Sequence, residues 1–235
     1  MDERIARIWE FYKKVNPLKI KTRTGWKDWG ITQQEDMQSR GESIADHSNS
    51  AAWLAFAIKS EYPKEYKDID MFRVVAMLNF HELDEAVIPD FTPFSDISKE
   101  EKRKLSKDAV ERTASVLTAG NLLIELIEEF ENKSTTAGKF AKQVDSLDAG
   151  MQCKIYEEQG LINLTSPIAQ KMLKVHNVAK RGHESLADSW LEYCAQEYNY
   201  DPVFKSIANQ LQVTRTKKLG ELKNALTHVL DQKSH

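Results

Sequence analysis

The chemistry of this chain concentrates in one stretch, Phe80-His81-Glu82-Leu83-Asp84-Glu85-Ala86-Val87-Ile88-Pro89-Asp90. Upstream, Val74, Val75 and Leu78 mark the apolar face of a helix. Helical steps from Val74 bring Leu78, His81, Glu82 and Glu85 onto that same face. A face that begins as core thus ends as an imidazole and two carboxylates, and carboxylates are costly to bury without partners. A metal ion resolves the conflict, because His, Asp and Glu are all ligands and a cation reverses the local charge problem. Pro89 and Pro93 stop the helix and leave Asp90 in a turn at the same end.

Helices must position these groups, since helical periodicity dominates and no convincing strand is present. Ile5, Ile8, Trp9 and Tyr12 form one stripe, closed by Asn16-Pro17. Lys19 to Gly41 is polar and carries Arg23-Thr24-Gly25-Trp26 and Trp29; a stretch of that length reads as functional or docked rather than idle. A helix starts near Ser43, with His47, Ala51, Leu54 and Ile58 on one face, and the spacing predicts the next over Asp70 to Ala86. Ser98-Lys99-Glu100-Glu101 is a capping box that opens another helix. A shorter helix uses Leu123, Leu126, Ile127 and Phe130. A long one, Lys139 to Gln159, places Phe140, Val144, Leu147 and Met151 on one face and Asp145 and Asp148 on the stripe beside it. Further helices are predicted around Met172 to Lys180, Ser185 to Gln196, Pro202 to Leu211 and Leu219 to Leu230, with Trp53 and Trp190 read as core. The fold class is all-α.

Composition narrows the partners. A chain of 235 residues makes one large domain or two small ones and buries a substantial core. A formal net charge of -3 gives no polyanion-binding surface, so nucleic acid is not an expected partner. Cys153 and Cys194 each fall within a predicted helix, which argues against structural disulfides and for a reducing, cytoplasmic setting. The first residues open an amphipathic helix rather than a signal peptide. No run of about 18 apolar residues offers a membrane span.

Three separate helices therefore offer metal-type ligands: His47, the His81-Glu82 pair and Asp145. This order resembles the HD superfamily of metal-dependent phosphohydrolases. Arg23-Thr24-Gly25-Trp26, then Glu42-Ser43-Ile44-Ala45-Asp46-His47-Ser48, resemble the first two blocks of its 5'-deoxynucleotidases, the YfbR-like proteins. His81-Glu82-Leu83-Asp84-Glu85 through Asp90-Phe91-Thr92-Pro93 resembles the third block. Lys139 to Asp148, with the following Tyr156-Glu157-Glu158, resembles the fourth. The resemblance covers roughly residues 5–160. It implies an HD-type helical bundle over 1–165, and the helices predicted beyond it make 166–235 a carboxyl-terminal helical extension packed on the same domain.

Position by position, the resemblance implies His47, His81, Glu82 and Asp145 as ligands of one divalent ion: manganese, cobalt, iron or similar. Glu85 matches the family's acid/base carboxylate and Arg23 a phosphate-binding position. Trp26 matches the aromatic that packs against the sugar, and Asp90 an acceptor for the 3'-hydroxyl. The implied activity is hydrolysis of deoxynucleoside 5'-monophosphates by a homodimer acting on small nucleotides. Two departures stand out. The family has Asp where this chain has Glu82, and the segment between Trp26 and Glu42 is longer here. Triphosphate hydrolysis on the same scaffold, or nucleotide binding with a weakened metal centre, are the alternative readings.

Overall fold

Short polar caps start the helices where the sequence places them. The Ser43 hydroxyl accepts from the Asp46 backbone N–H while the Asp46 carboxylate accepts from Ser43, and Ser98 and Glu101 repeat the exchange. A computed structural model describes residues 2–31, 41–92, 95–163, 165–173 and 185–212. Among them run α1 (Glu3–Val15), α2 (Thr24–Asp28), α3 (Ile44–Glu61), α4 (Met71–Phe80), α5 (Lys99–Ala114), α6 (Asn121–Asn132), α7 (Thr136–Glu158), α8 (Pro167–Leu173) and α9 (Leu186–Glu197). A last helix, α10, covers 202–212. No strand forms among the described residues; the one extended pairing is an isolated antiparallel bridge between Thr22 and Ser43. The helix expected around Leu219 to Leu230, and most of the one expected around Met172 to Lys180, lie outside the described residues.

The long helix α7 is the centre of the fold and packs against α3, α4, α6 and α9. Its Phe140, Val144 and Leu147 meet Ala51, Ala55 and Ile58 of α3, Val74, Met77 and Leu78 of α4, and Leu191 of α9 in one core. Gly150 lets α9 lie close, because a Cβ there would stand 2.7 Å from Leu191 Cδ2. Helix α10 adds Phe204 and Ala208 to the same core, and Phe204 meets the Phe140 ring edge-on at 5.6 Å. Phe204→Ala is expected to cost about 3–5 kcal/mol of unfolding free energy, read from urea denaturation, as befits a core aromatic rather than an appendage.

Two expectations are corrected. Helix α4 ends at Phe80, not Ala86: Glu82 leaves helical geometry (φ -101°, ψ 23°), and Leu83–Ala86 form a 3-10 turn. An unbroken helix would send Leu83 away from the face of His81. The break instead buries Leu83 against Val110, Ala114, Leu123 and Ile127. Trp53 is 67% exposed, because the inner face of α3 is taken by Ala51, Ala52, Ala55 and Ile58. The α1 stripe is exposed as well, with Ile5, Ile8, Trp9 and Tyr12 about half accessible or more.

Candidate active site

His47 lies one turn into α3, wholly buried, and both ring nitrogens are engaged. Nδ1 is 2.8 Å from Asp148 Oδ2, which also accepts from Ser50 Oγ at 3.0 Å. Nε2 is 3.0 Å from Asp145 Oδ1. His81 closes α4, and its Nδ1 donates to the Leu78 carbonyl at 2.8 Å. A carbonyl only accepts, so a His81 proton sits on Nδ1 and the other nitrogen, Nε2, is left to face the cluster. That Nε2 is buried with no hydrogen-bond partner, 3.4 Å from Asp145 Oδ1 and 3.5 Å from Glu82 Oε1. One ligand atom from each of His47, His81, Glu82 and Asp145 falls within 4.8 Å of all the others.

The donor set fits a divalent cation. Two imidazoles and two carboxylates converge, each imidazole is fixed from behind by an acceptor on its other nitrogen, and the buried His81 Nε2 is left without a hydrogen-bond partner. Burial and Arg23 work against a charged His47, but the hydrogen bonds to Asp145 and Asp148 outweigh them and raise it to about 10. Burial likewise opposes ionisation of Asp145, yet Lys142, His81 and His47 hold it well below the usual carboxylate range. A cation entering the cluster therefore displaces a proton from His47 rather than creating a new charge vacancy. Because Asp148 orients His47, Asp148→Ala is expected to weaken divalent-ion binding about 10–100-fold, measured by competition with a chromophoric chelator.

Glu85 sits on the 3-10 turn and is 4% exposed. Burial, then the charges of Glu82 and Asp90, push it up to about 11, with Arg23 opposing. Arg23 precedes α2 and puts Nη2 at 3.8 Å from Glu82 Oε1, while its buried Nη1 has no hydrogen-bond partner. Burial disfavours its charge, but Glu82, Asp90 and Glu42 more than restore it. Asp90 is buried, and its Oδ2 accepts from the Thr24 N–H at 2.7 Å, capping α2. Trp26 is 3% exposed; its Nε1 donates to Glu42 Oε1 at 2.8 Å, and Trp29 and Tyr156 meet it edge-on.

All eight residues singled out from the sequence are thus placed. The four residues expected to ligate form one cluster, Arg23 borders it at Glu82, and Asp90 lies close enough to Glu85 to raise it. Trp26 and Asp90 instead hold the Arg23 segment in place. Sequence reading set Asp148 below Asp145, whereas the structure uses both: one in the cluster and one behind His47. It passed over Lys142, whose Nζ is 3.5 Å from Asp145 Oδ2 and 4.2 Å above the Phe130 ring. The available signal was spacing, since Lys142, Asp145 and Asp148 recur every third residue of one helix.

A family model described as HD domain matches residues 15–187. The chain is 30% identical over 154 residues to 5'-deoxynucleotidase HDDC2 of Dictyostelium discoideum, spanning 64% of this chain and 77% of that protein. It is 34% identical over 152 residues to the protein of the same name from Xenopus laevis, spanning 63% and 69%. In fold it is similar to a predicted metal-dependent phosphohydrolase from Magnetospirillum magnetotacticum MS-1, with TM-score 0.63, 21% identity and 92% of this chain and 94% of that one covered.

Proposed function

This chain belongs to the HD-domain family, and from that premise we propose that it hydrolyses deoxynucleoside 5'-monophosphates to deoxynucleoside and phosphate, using one divalent metal ion. The observation that carries the reading is the convergence of the His47 and His81 Nε2 atoms on Glu82 and Asp145, with Arg23 at the edge. The glutamate at 82 supports ligation rather than loss of the site, because its longer arm still brings Oε1 to 3.5 Å from His81 Nε2 and 3.9 Å from His47 Nε2.

His47, His81, Glu82 and Asp145 hold the ion, of the manganese, cobalt or iron type. Bound there, such an ion supplies Lewis-acid polarisation of a phosphoryl oxygen and acidifies a water molecule. The remaining work belongs to the chain. Arg23, charged and with a buried N–H unpaired, receives phosphate oxygens. Glu85, raised by burial and by the charges of Glu82 and Asp90, gives its proton to the departing 5'-oxygen as the phosphorus–oxygen bond breaks, and takes one back from the water whose oxygen joins phosphorus. Asp90 offers its second oxygen to the 3'-hydroxyl, and Trp26 acts on the substrate through the segment it anchors.

The exposed apolar stripe of α1 supports a homodimer, and two buried free cysteines support a reducing, cytoplasmic setting. No described helix is long and apolar enough to cross a membrane. The shared core of α9 and α10 supports treating the described part of 166–235 as one domain with the rest.

The test is phosphate release from a panel of nucleoside and deoxynucleoside mono- and triphosphates, after the protein is stripped of metal and single ions are restored. Metal-dependent release of phosphate from deoxynucleoside monophosphates is expected. Release of tripolyphosphate or pyrophosphate from triphosphates alone would replace the monophosphatase reading. Ligand-dependent thermal stabilisation without turnover would leave only a binding protein.

A further inference from the structure

Lys21 stands where three parts of the site meet. Its backbone carbonyl accepts from the Ile44 N–H at 2.9 Å, in the first turn of the helix that carries His47. Two residues on, the Arg23 N–H donates to the Glu42 carbonyl at 3.2 Å. The side chain runs the other way, and Nζ donates to the carbonyl oxygens of Glu85 and Ile88. In sequence Lys21 is one of several basic residues beside Arg23. Its neighbour Lys19 behaves as that reading expects, pairing with Tyr12 Oη on an exposed surface at 2.8 Å. Lys21 does not.

The two carbonyls have a reason to need it. The 3-10 turn closes with the Val87 and Ile88 N–H groups both donating to Asp84 O, at 2.9 and 3.0 Å. In a continuing helix the Glu85 carbonyl would next accept from residue 89, which is Pro89 and has no N–H. The Lys21 ammonium supplies the missing donor, and as a cation it does so strongly. One long-range contact thus sets the backbone from which the Glu85 side chain projects, against the segment that delivers Arg23.

We propose that Lys21 is a positioning residue for Glu85, acting through the backbone of the 3-10 turn and touching no reacting atom itself. The proposal rests on the roles assigned above to Glu85 and to the metal cluster. Substitution of the side chain leaves the Lys21 backbone bond to Ile44 in place, so the effect should fall on the Glu85 side alone.

The experiment compares wild type, Lys21→Met and Lys21→Arg, full length and loaded with the same divalent ion, by hydrogen exchange over residues 83–92 and by steady-state kinetics on a deoxynucleoside monophosphate. In Lys21→Met, exchange over 83–92 is expected to accelerate while that over α3 is unchanged. The turnover number is expected to fall about 10–100-fold, the scale of a small misplacement of a reacting group. KM and metal affinity should stay at wild-type values, and Lys21→Arg should recover most of the loss. Unchanged exchange over 83–92 in Lys21→Met overturns the anchoring, whatever the activity. Accelerated exchange with a wild-type turnover number overturns the positioning role, as does a loss matched by lost metal affinity. A silent wild type would count against the monophosphatase reading and would leave the exchange comparison to decide the anchoring alone.

Discussion

Asp145→Asn is expected to abolish divalent-ion binding and, with it, phosphate release. The side chain keeps its shape but loses the charge that three neighbours face. Oδ1 faces His47 Nε2 at 3.0 Å and His81 Nε2 at 3.4 Å, and Oδ2 faces the Lys142 ammonium at 3.5 Å. With asparagine in place, a divalent ion would enter a cluster holding one carboxylate instead of two and bordered by a lysine charge no longer offset there. Like charges at this separation in a buried site repel strongly. The loss should therefore exceed the about 10–100-fold expected when an outer partner such as Asp148 is removed. The fold should survive, because Lys142 retains Glu131 at 3.2 Å and the Phe130 ring beneath it. Chelator competition and phosphate release on the same preparation check both halves, and a wild-type dissociation constant in Asp145→Asn would remove Asp145 from the ligand set.

The second large effect separates chemistry from binding. Glu85→Gln is expected to lower the turnover number about 10²–10⁴-fold, the range for loss of a general acid or base, with metal affinity and KM retained. Stability should be retained as well. Glu85 is buried beside Glu82 and Asp90, which with burial push it up to about 11, so the native side chain is neutral at pH 7 and glutamine imitates that form. The expected protein is strongly impaired in turnover but intact. An equal melting temperature with residual activity near wild type would show Glu85 to be a buried neutral carboxyl with no part in turnover.

What the sequence discloses here follows range and repetition. His47 and His81 were legible because each falls on the apolar face of a helix, where a lone polar group would be expensive, whereas Asp145, on the stripe beside such a face, was singled out only by the resemblance. The starts of α3 and α5 were legible, the second because its capping box, Ser98 to Glu101, is local. The break after Phe80 was not, since it depends on Leu83 finding Val110, Ala114 and Ile127, far along the chain. Lys21 and Asp148 were obscured for the same reason: their partners lie 64 and 101 residues away, and by composition both look like solvated charges. Trp53 failed in the opposite direction. A periodic stripe states that a helix has two faces, and only the packing of α3 decided which of them the tryptophan occupies.

The five tryptophans divide in a way that carries an optical consequence. Trp9 and Trp53 face solvent, whereas Trp26 and Trp29 are enclosed and Trp190 packs edge-on against Trp29. Emission from this chain should thus contain a red component open to acrylamide quenching and a blue, protected one. Trp26 belongs to the blue component, three residues from Arg23 and bonded through its indole nitrogen to Glu42. Once the outer pair is quenched, or replaced by phenylalanine, the remaining fluorescence becomes a native spectroscopic gauge of the segment that carries Arg23, readable without a label and in variants with no turnover.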